Sequence, residues 1–172
     1  MGNVTLLIGG ARSGKSSLAV EIGRRHDGGV VLVATAEPFD DDLRERISQH
    51  RLDRPDWPTV EAPLDLGATI AAADDDVMLI VDCITMWVGN ELHHRSAVDA
   101  TAVAVALSDR TGPSVVITNE VGLGVHPETE LGRRYRDDLG RINQAIATIA
   151  TTTLLMVAGR AMRLNDPWKE LA

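Results

Sequence analysis

Five apolar runs, separated by helical or turn-rich stretches, predict an α/β protein. It is read as a single domain over residues 1–172, with a mostly parallel central sheet and helices on both faces. Three observations carry this. The runs are near-continuous rather than alternating, as in strands covered on both sides. They are rich in β-branched residues, which suit a pleated, buried surface. Helical patterns intervene between them, as parallel strands require.

The elements follow in order. Val4 to Ile8 is the first strand, and it runs into Gly9-Gly10-Ala11-Arg12-Ser13-Gly14-Lys15-Ser16. That string is a phosphate-binding loop: its glycines let backbone N–H groups close on an anion, and the helix opening at Lys15 adds its positive dipole end. Lys15 suits the β- and γ-phosphates of a nucleoside triphosphate, and the Ser16 hydroxyl suits Mg²⁺. Gly29 to Ala34 is the second strand. Asp40, Asp41 and Asp42 open a helix favourably, and Leu43, Ile47 and His50 share one of its faces. The segment from Leu52 to Pro63 carries three prolines and cannot continue as helix. It reads either as a loop crossing the sheet edge or as an insertion at the active site. A weak helix over Ala68 to Ala73 precedes strand three, Val77 to Asp82. An alanine-rich helix over Ala97 to Ser108 precedes strand four, Ser114 to Thr118. Leu131, Tyr135, Leu139, Ile142, Ile146 and Ile149 mark one long amphipathic helix before strand five, Thr153 to Ala158.

Composition narrows the function. A balance of 17 basic against 25 acidic residues, −8 overall, matches a nucleic-acid backbone poorly. No apolar stretch is long enough to span a bilayer, and no signal peptide precedes the first strand. One cysteine, Cys83, suits a reducing cytosol. The expectation is a cytoplasmic, nucleotide-using protein.

Four further residues stand out. Asp82 ends strand three where the acidic partner of a phosphate loop is expected, holding Mg²⁺ with Ser16; the plainer reading is a turn or capping carboxylate. Glu120 follows strand four and suits either proton acceptance or a solvent-facing strand end. His50 reads as a packed histidine or as a catalytic one. His93 and His94, adjacent on a helix, do not face one point and so make a poor metal pair.

Five segments together resemble a known family: residues 9–16; Ala34-Thr35-Ala36 before the acidic helix; Arg46-Ile47-Ser48-Gln49-His50-Arg51 with Arg54-Pro55; Val81-Asp82-Cys83-Ile84-Thr85-Met86-Trp87 with Asn90; and Thr118-Asn119-Glu120-Val121-Gly122. The chain is similar to the bifunctional adenosylcobinamide kinases / adenosylcobinamide-phosphate guanylyltransferases of cobalamin assembly. The resemblance implies a RecA-like P-loop sheet and a homotrimer. It also implies phosphorylation of adenosylcobinamide by ATP or GTP, then transfer of GMP from GTP through a guanylylated histidine, here His50. Nucleotide contacts carry over to Gly9, Gly10, Ala11, Arg12, Ser13, Gly14, Lys15 and Ser16, to Ala34, Thr35 and Ala36, and to Arg51, Leu52, Asp53 and Arg54. Glu61 and Asp82 complete the set. Here Trp57-Pro58-Thr59 stands where the family commonly has Trp-Arg-Thr, in a segment one residue shorter. For the trimer, Trp87 and Val88 are the apolar positions that look exposed. Two rival readings share the P-loop: another small-molecule kinase, and a nucleotide-switched assembly module.

Overall fold

In the computed structural model, which describes residues 2–38, 44, 55–95 and 97–171, one seven-stranded sheet organises the chain. The strands are β1 (Val4–Gly9), β2 (Gly29–Ala34), β3 (Thr59–Glu61), β4 (Val77–Asp82), β5 (Ser114–Asn119), β6 (Thr152–Val157) and β7 (Arg160–Leu164). Their order across the sheet is β3-β2-β4-β5-β1-β6-β7. All neighbours pair in parallel except β6 and β7, which form a hairpin. The helices are α1 (Lys15–Arg24), α2 (Leu66–Ala71), α3 (Ile84–His94), α4 (Ala100–Asp109), α5 (Glu130–Ile149) and α6 (Pro167–Glu170).

The continuous apolar runs of β1, β2, β4 and β5 are strands with two dry faces, while β6 is mostly half-buried. Leu6, Leu79, Val81 and Val116 point into one cluster with Val88, Leu107, Ile142 and Ile146 from α3, α4 and α5. Leu7, Met78, Ile80, Val115 and Ile117, their alternates along the strands, join Ala19, Leu18 and Ile22 of α1 on the other face. Because side chains alternate, a strand needs apolar residues at every position to fill both clusters.

The α5 helix starts where its Thr129 cap accepts the Gly132 N–H at 3.1 Å, satisfying one of the first-turn donors. Its expected stripe is inward from Tyr135 onward, while Leu131, one turn earlier, is exposed. At the sheet end remote from the phosphate loop, buried Arg110 donates to the carbonyls of Ala73 (3.0 Å), Asp74 and Val77. It ties the end of α4 to the turn before β4.

Several sequence expectations change. β3 and β7 were not expected as strands. β3 spans three exposed residues on an edge, and β7 is exposed at all five positions, so neither gives an apolar run. α3 and α6 also go beyond the expected elements. α3 overturns the idea that Trp87 and Val88 form an exposed apolar surface: they are 3% and 0% accessible. Continued as a helix, the chain after Asp82 turns Ile84, Trp87, Val88 and Leu92 onto the core at helical spacing.

Candidate active site

The carboxyl ends of the parallel strands bring the site together. Register aligns Glu61 of β3 with Ala34 of β2, and Ala34 with Asp82 of β4, so three predicted residues sit at one level of the rim. At β1, the chain leaves Gly9 beside the β6 backbone; a side chain there would run into the Met156 carbonyl. Arg12 adopts a left-handed backbone (φ 57°), and Gly14, the α1 N-cap, sits at φ 98° with only 3.3 Å between its would-be Cβ and Gly159 Cα. Glycine is needed at Gly14 for both the conformation and the close approach. The two-residue β6–β7 turn, Ala158 at φ 49° and Gly159 at φ 73°, closes onto the loop. Its Gly159 N–H donates to the Ser13 carbonyl at 3.0 Å.

Lys15 is 7% exposed. Its ammonium donates to the carbonyls of Gly9 (3.0 Å) and Gly10 (2.6 Å) and to Ser13 Oγ (3.4 Å), so the loop itself supplies all three acceptors. Burial lowers its pKa, and the neighbouring Cys83 and Asp82 oppose that fall. Ser16 and Asp82 line one cavity of about 240 Å³. Ala19, Val20, Leu32, Ile80, Ile117 and Trp57 give that cavity an apolar wall. A hydroxyl and a carboxylate, both hard oxygen donors beside a phosphate loop, fit Mg²⁺, which keeps most of its coordination for water and phosphate.

The Asp82–Cys83 peptide is cis, and Cys83 caps α3. Burial, then the Asp82 charge, pushes the Cys83 thiol up to about 11. Thr35, fully buried just past β2, has its hydroxyl committed to Cys83: it donates to the carbonyl at 2.7 Å and accepts the N–H at 2.8 Å. Ala34 and Ala36 flank it, half-buried.

On the other side of β4, a buried polar set supports the end of β5. Thr118 Oγ1 donates to Asn143 Oδ1 (2.7 Å), and Asn143 Nδ2 donates to the Asn119 carbonyl (3.1 Å). The Asn119 N–H donates to Thr85 Oγ1 (2.8 Å), and the Tyr135 hydroxyl donates to the Thr85 carbonyl (3.3 Å). Glu120 follows directly. Its N–H reaches the Gly9 carbonyl at 3.2 Å, and its carboxylate accepts the Gly122 N–H. It therefore stands beside the phosphate loop with one oxygen turned to its own turn. His94 pairs with Glu37 at 2.8 Å. His50, Arg51, Leu52, Asp53 and Arg54, and the acidic helix expected from Asp40, lie outside the described residues.

Sequence reasoning gave no role to Asn90, Asn143 or Gly159. An asparagine among the inward residues of α3 or α5 is the one signal available for the first two, since a buried amide needs specified partners. Gly159 belongs to a stretch, Val157-Ala158-Gly159, that resembles the family, but its bond to Ser13 is not readable from the letters because that partner lies far back along the chain.

Residues 5–164 match the family described as cobinamide kinase / cobinamide phosphate guanyltransferase. The chain is 40% identical over 166 residues to the bifunctional adenosylcobalamin biosynthesis protein CobP of Pseudomonas aeruginosa, across 93% of this chain and 96% of that one. It is 36% identical over 181 residues to the protein CobU of Salmonella typhimurium, at 93% and 98% coverage. Among solved structures, the EscN ATPase of the enteropathogenic Escherichia coli type III secretion system superposes with a TM-score of 0.57 at 13% identity, over 91% of this chain and 43% of that one. A Pyrococcus horikoshii protein, PH0250, gives 0.53 at 11% identity, over 96% and 88%. These structural likenesses speak to the fold alone, a RecA-like P-loop sheet. With the family match over most of its length, the chain belongs to the cobinamide kinase / cobinamide phosphate guanyltransferase family.

Proposed function

We propose that this chain phosphorylates adenosylcobinamide with ATP or GTP, then transfers GMP from GTP to adenosylcobinamide phosphate through a guanylylated His50. The products are adenosylcobinamide-GDP and pyrophosphate. One observation supports this above others: a single phosphate loop, completed by Lys15, Ser16 and Asp82, inside a chain related end to end to bifunctional enzymes of this pathway. That relationship favours a bifunctional kinase and guanylyltransferase over the two rivals.

Nucleotide phosphates entering the loop replace the carbonyl and Ser13 acceptors of Lys15, whose charge then lies against the transferring group. Ser16 and Asp82 would hold Mg²⁺, which when bound would neutralise charge on the nucleotide phosphates. Ala34, Ala36, Glu61 and residues 51–54 complete the nucleotide site, with the fully buried Thr35 behind them. Glu120 accepts the proton of the acceptor hydroxyl as its oxygen bonds to the γ-phosphorus and the nucleoside diphosphate leaves. In the second reaction an imidazole nitrogen of His50 bonds to the α-phosphorus of GTP, the bond to the β-phosphate oxygen breaks, and pyrophosphate departs. A phosphate oxygen of the corrinoid then displaces histidine, and GMP passes on.

The test is GTP labelled at the α-phosphate. Label should stay on denatured protein, survive alkali and be lost in mild acid, as a phosphoramidate does. His50→Ala should abolish the trapped GMP while phosphorylation of adenosylcobinamide remains measurable. GMP found on another residue by mass spectrometry would sink the assignment. The active species is proposed to be a cytoplasmic homotrimer, for which the exposed Met162 and Leu164 on the edge strand β7 offer apolar surface.

A further inference from the structure

Thr35 and Asn90 form a buried relay that ends at the backbone of Asp82 and Cys83, beside the carboxylate proposed to hold Mg²⁺. Thr35 is fully buried, and two of its groups hold the end of β4 through three hydrogen bonds: its N–H donates to the Asp82 carbonyl (3.2 Å), and its hydroxyl both donates to and accepts from the Cys83 backbone. One residue thereby fixes the backbone on either side of the Asp82–Cys83 junction. Asn90 in turn fixes Thr35. It is also fully buried, and its Nδ2 donates to the Thr35 carbonyl (2.7 Å) and the Pro63 carbonyl (2.9 Å). Pro63 lies just after β3, so a single amide ties the chain beyond β2 and β3 to the helix that begins after Cys83.

We propose that Thr35 and Asn90 are positioning residues: they set the aim of the Asp82 carboxylate toward Ser16 and the Mg²⁺–nucleotide, and Thr35 acts on nucleotide through Asp82 rather than by its own side chain. A hydroxyl with both its donor and its acceptor spent on Cys83, and with no exposed surface, has no hydrogen left to offer a phosphate. Asp82 closes a strand, and its direction is set by where the next peptide goes. Threonine suits the task because its methyl fills the buried space that serine would leave, while valine fills that space and loses both bonds. The inference rests on the proposed nucleotide site.

The experiment is a double-mutant cycle on the full-length protein, read as the Mg²⁺ concentration giving half-maximal tight binding of a fluorescent GTP analogue. Magnesium-dependent binding by the unaltered protein tests the functional reading by itself. Thr35→Val should raise the half-saturating Mg²⁺ about tenfold, the loss usual when a group that orients a metal ligand is removed. It should leave weak, EDTA-resistant binding of the analogue unchanged, and Thr35→Ser should restore most of the Mg²⁺ response. In an Asp82→Asn background the same change should add less than about twofold, because two residues acting through one contact are not additive. Equal losses in both backgrounds, or a loss that persists in EDTA, would make Thr35 an independent contact and overturn the proposal. An unchanged Mg²⁺ response in Thr35→Val would overturn it as well. Should Thr35→Val not fold, Thr35→Cys, of the same size with a far weaker hydrogen-bonding group, carries the same cycle with the same two outcomes.

Discussion

Lys15 spends all three ammonium protons on its own loop, so the phosphate loop is held in shape by the residue proposed to serve the phosphates. Lys15→Ala should therefore remove both phosphorylation and guanylylation, at a cost of several kcal/mol in either barrier. Guanylylation near the unaltered level with the kinase lost would show that the two reactions use separate phosphate sites. Cys83, a direct electrostatic neighbour of Lys15, behaves oppositely to an activated thiol. With its pKa pushed up to about 11 from an ordinary 9.0, it should alkylate about a hundredfold more slowly at pH 8 than an exposed thiol. The linkage follows the same sign. Between pH 9 and 11 the unfolded chain gives up the thiol proton and the folded chain keeps it, so stability falls as pH rises through that window. Urea melts of the unaltered protein and of Cys83→Ser, compared at pH 8 and pH 10.5, should differ in slope with pH. Equal slopes would show that the buried thiol is not the source.

At the level of elements, Arg110 is the strut to test. Its guanidinium satisfies three carbonyls around the turn before β4, with Asp75 3.5 Å away. Arg110→Ala should destabilise by about 3 kcal/mol, a fall in Tm of roughly 10 °C for a chain this size. Nucleotide affinity measured below the melting point should be unchanged, since the strut lies at the far end of the sheet; a loss of affinity would mean that its effect crosses the sheet. The same scale shows what could be read from sequence. Strands β1, β2, β4 and β5 were legible because burial on both faces demands apolar residues at nearly every position, and a demand that strict shows in the letters; β6 was legible from its apolar run although it is mostly half-buried. β7 answers to no such demand, and its turn uses Ala158 where an asparagine would have announced a hairpin. The phosphate loop was legible as a local string. The Thr35–Asn90 relay was not, because its bonds join residues 55 positions apart and follow from register alone.

For the whole molecule, the expected assembly is a homotrimer, and light scattering at micromolar concentration should give three times the 18.5 kDa chain mass. A monomer would remove that expectation and any role for β7 as a shared edge. The placement of β1 has a consequence for how the molecule is made. The strand that delivers the phosphate loop is synthesised before both of its neighbours, β5, reached at Ser114, and β6, reached at Thr152. The brace on the loop arrives last of all, when the Gly159 N–H meets the Ser13 carbonyl. A nascent chain thus carries the phosphate loop behind an unpaired, strongly apolar strand until Ser114 and beyond are made, and contacts of such long sequence separation form slowly. Until the final hairpin emerges, the catalytic end of this chain is also its most exposed template for misassembly.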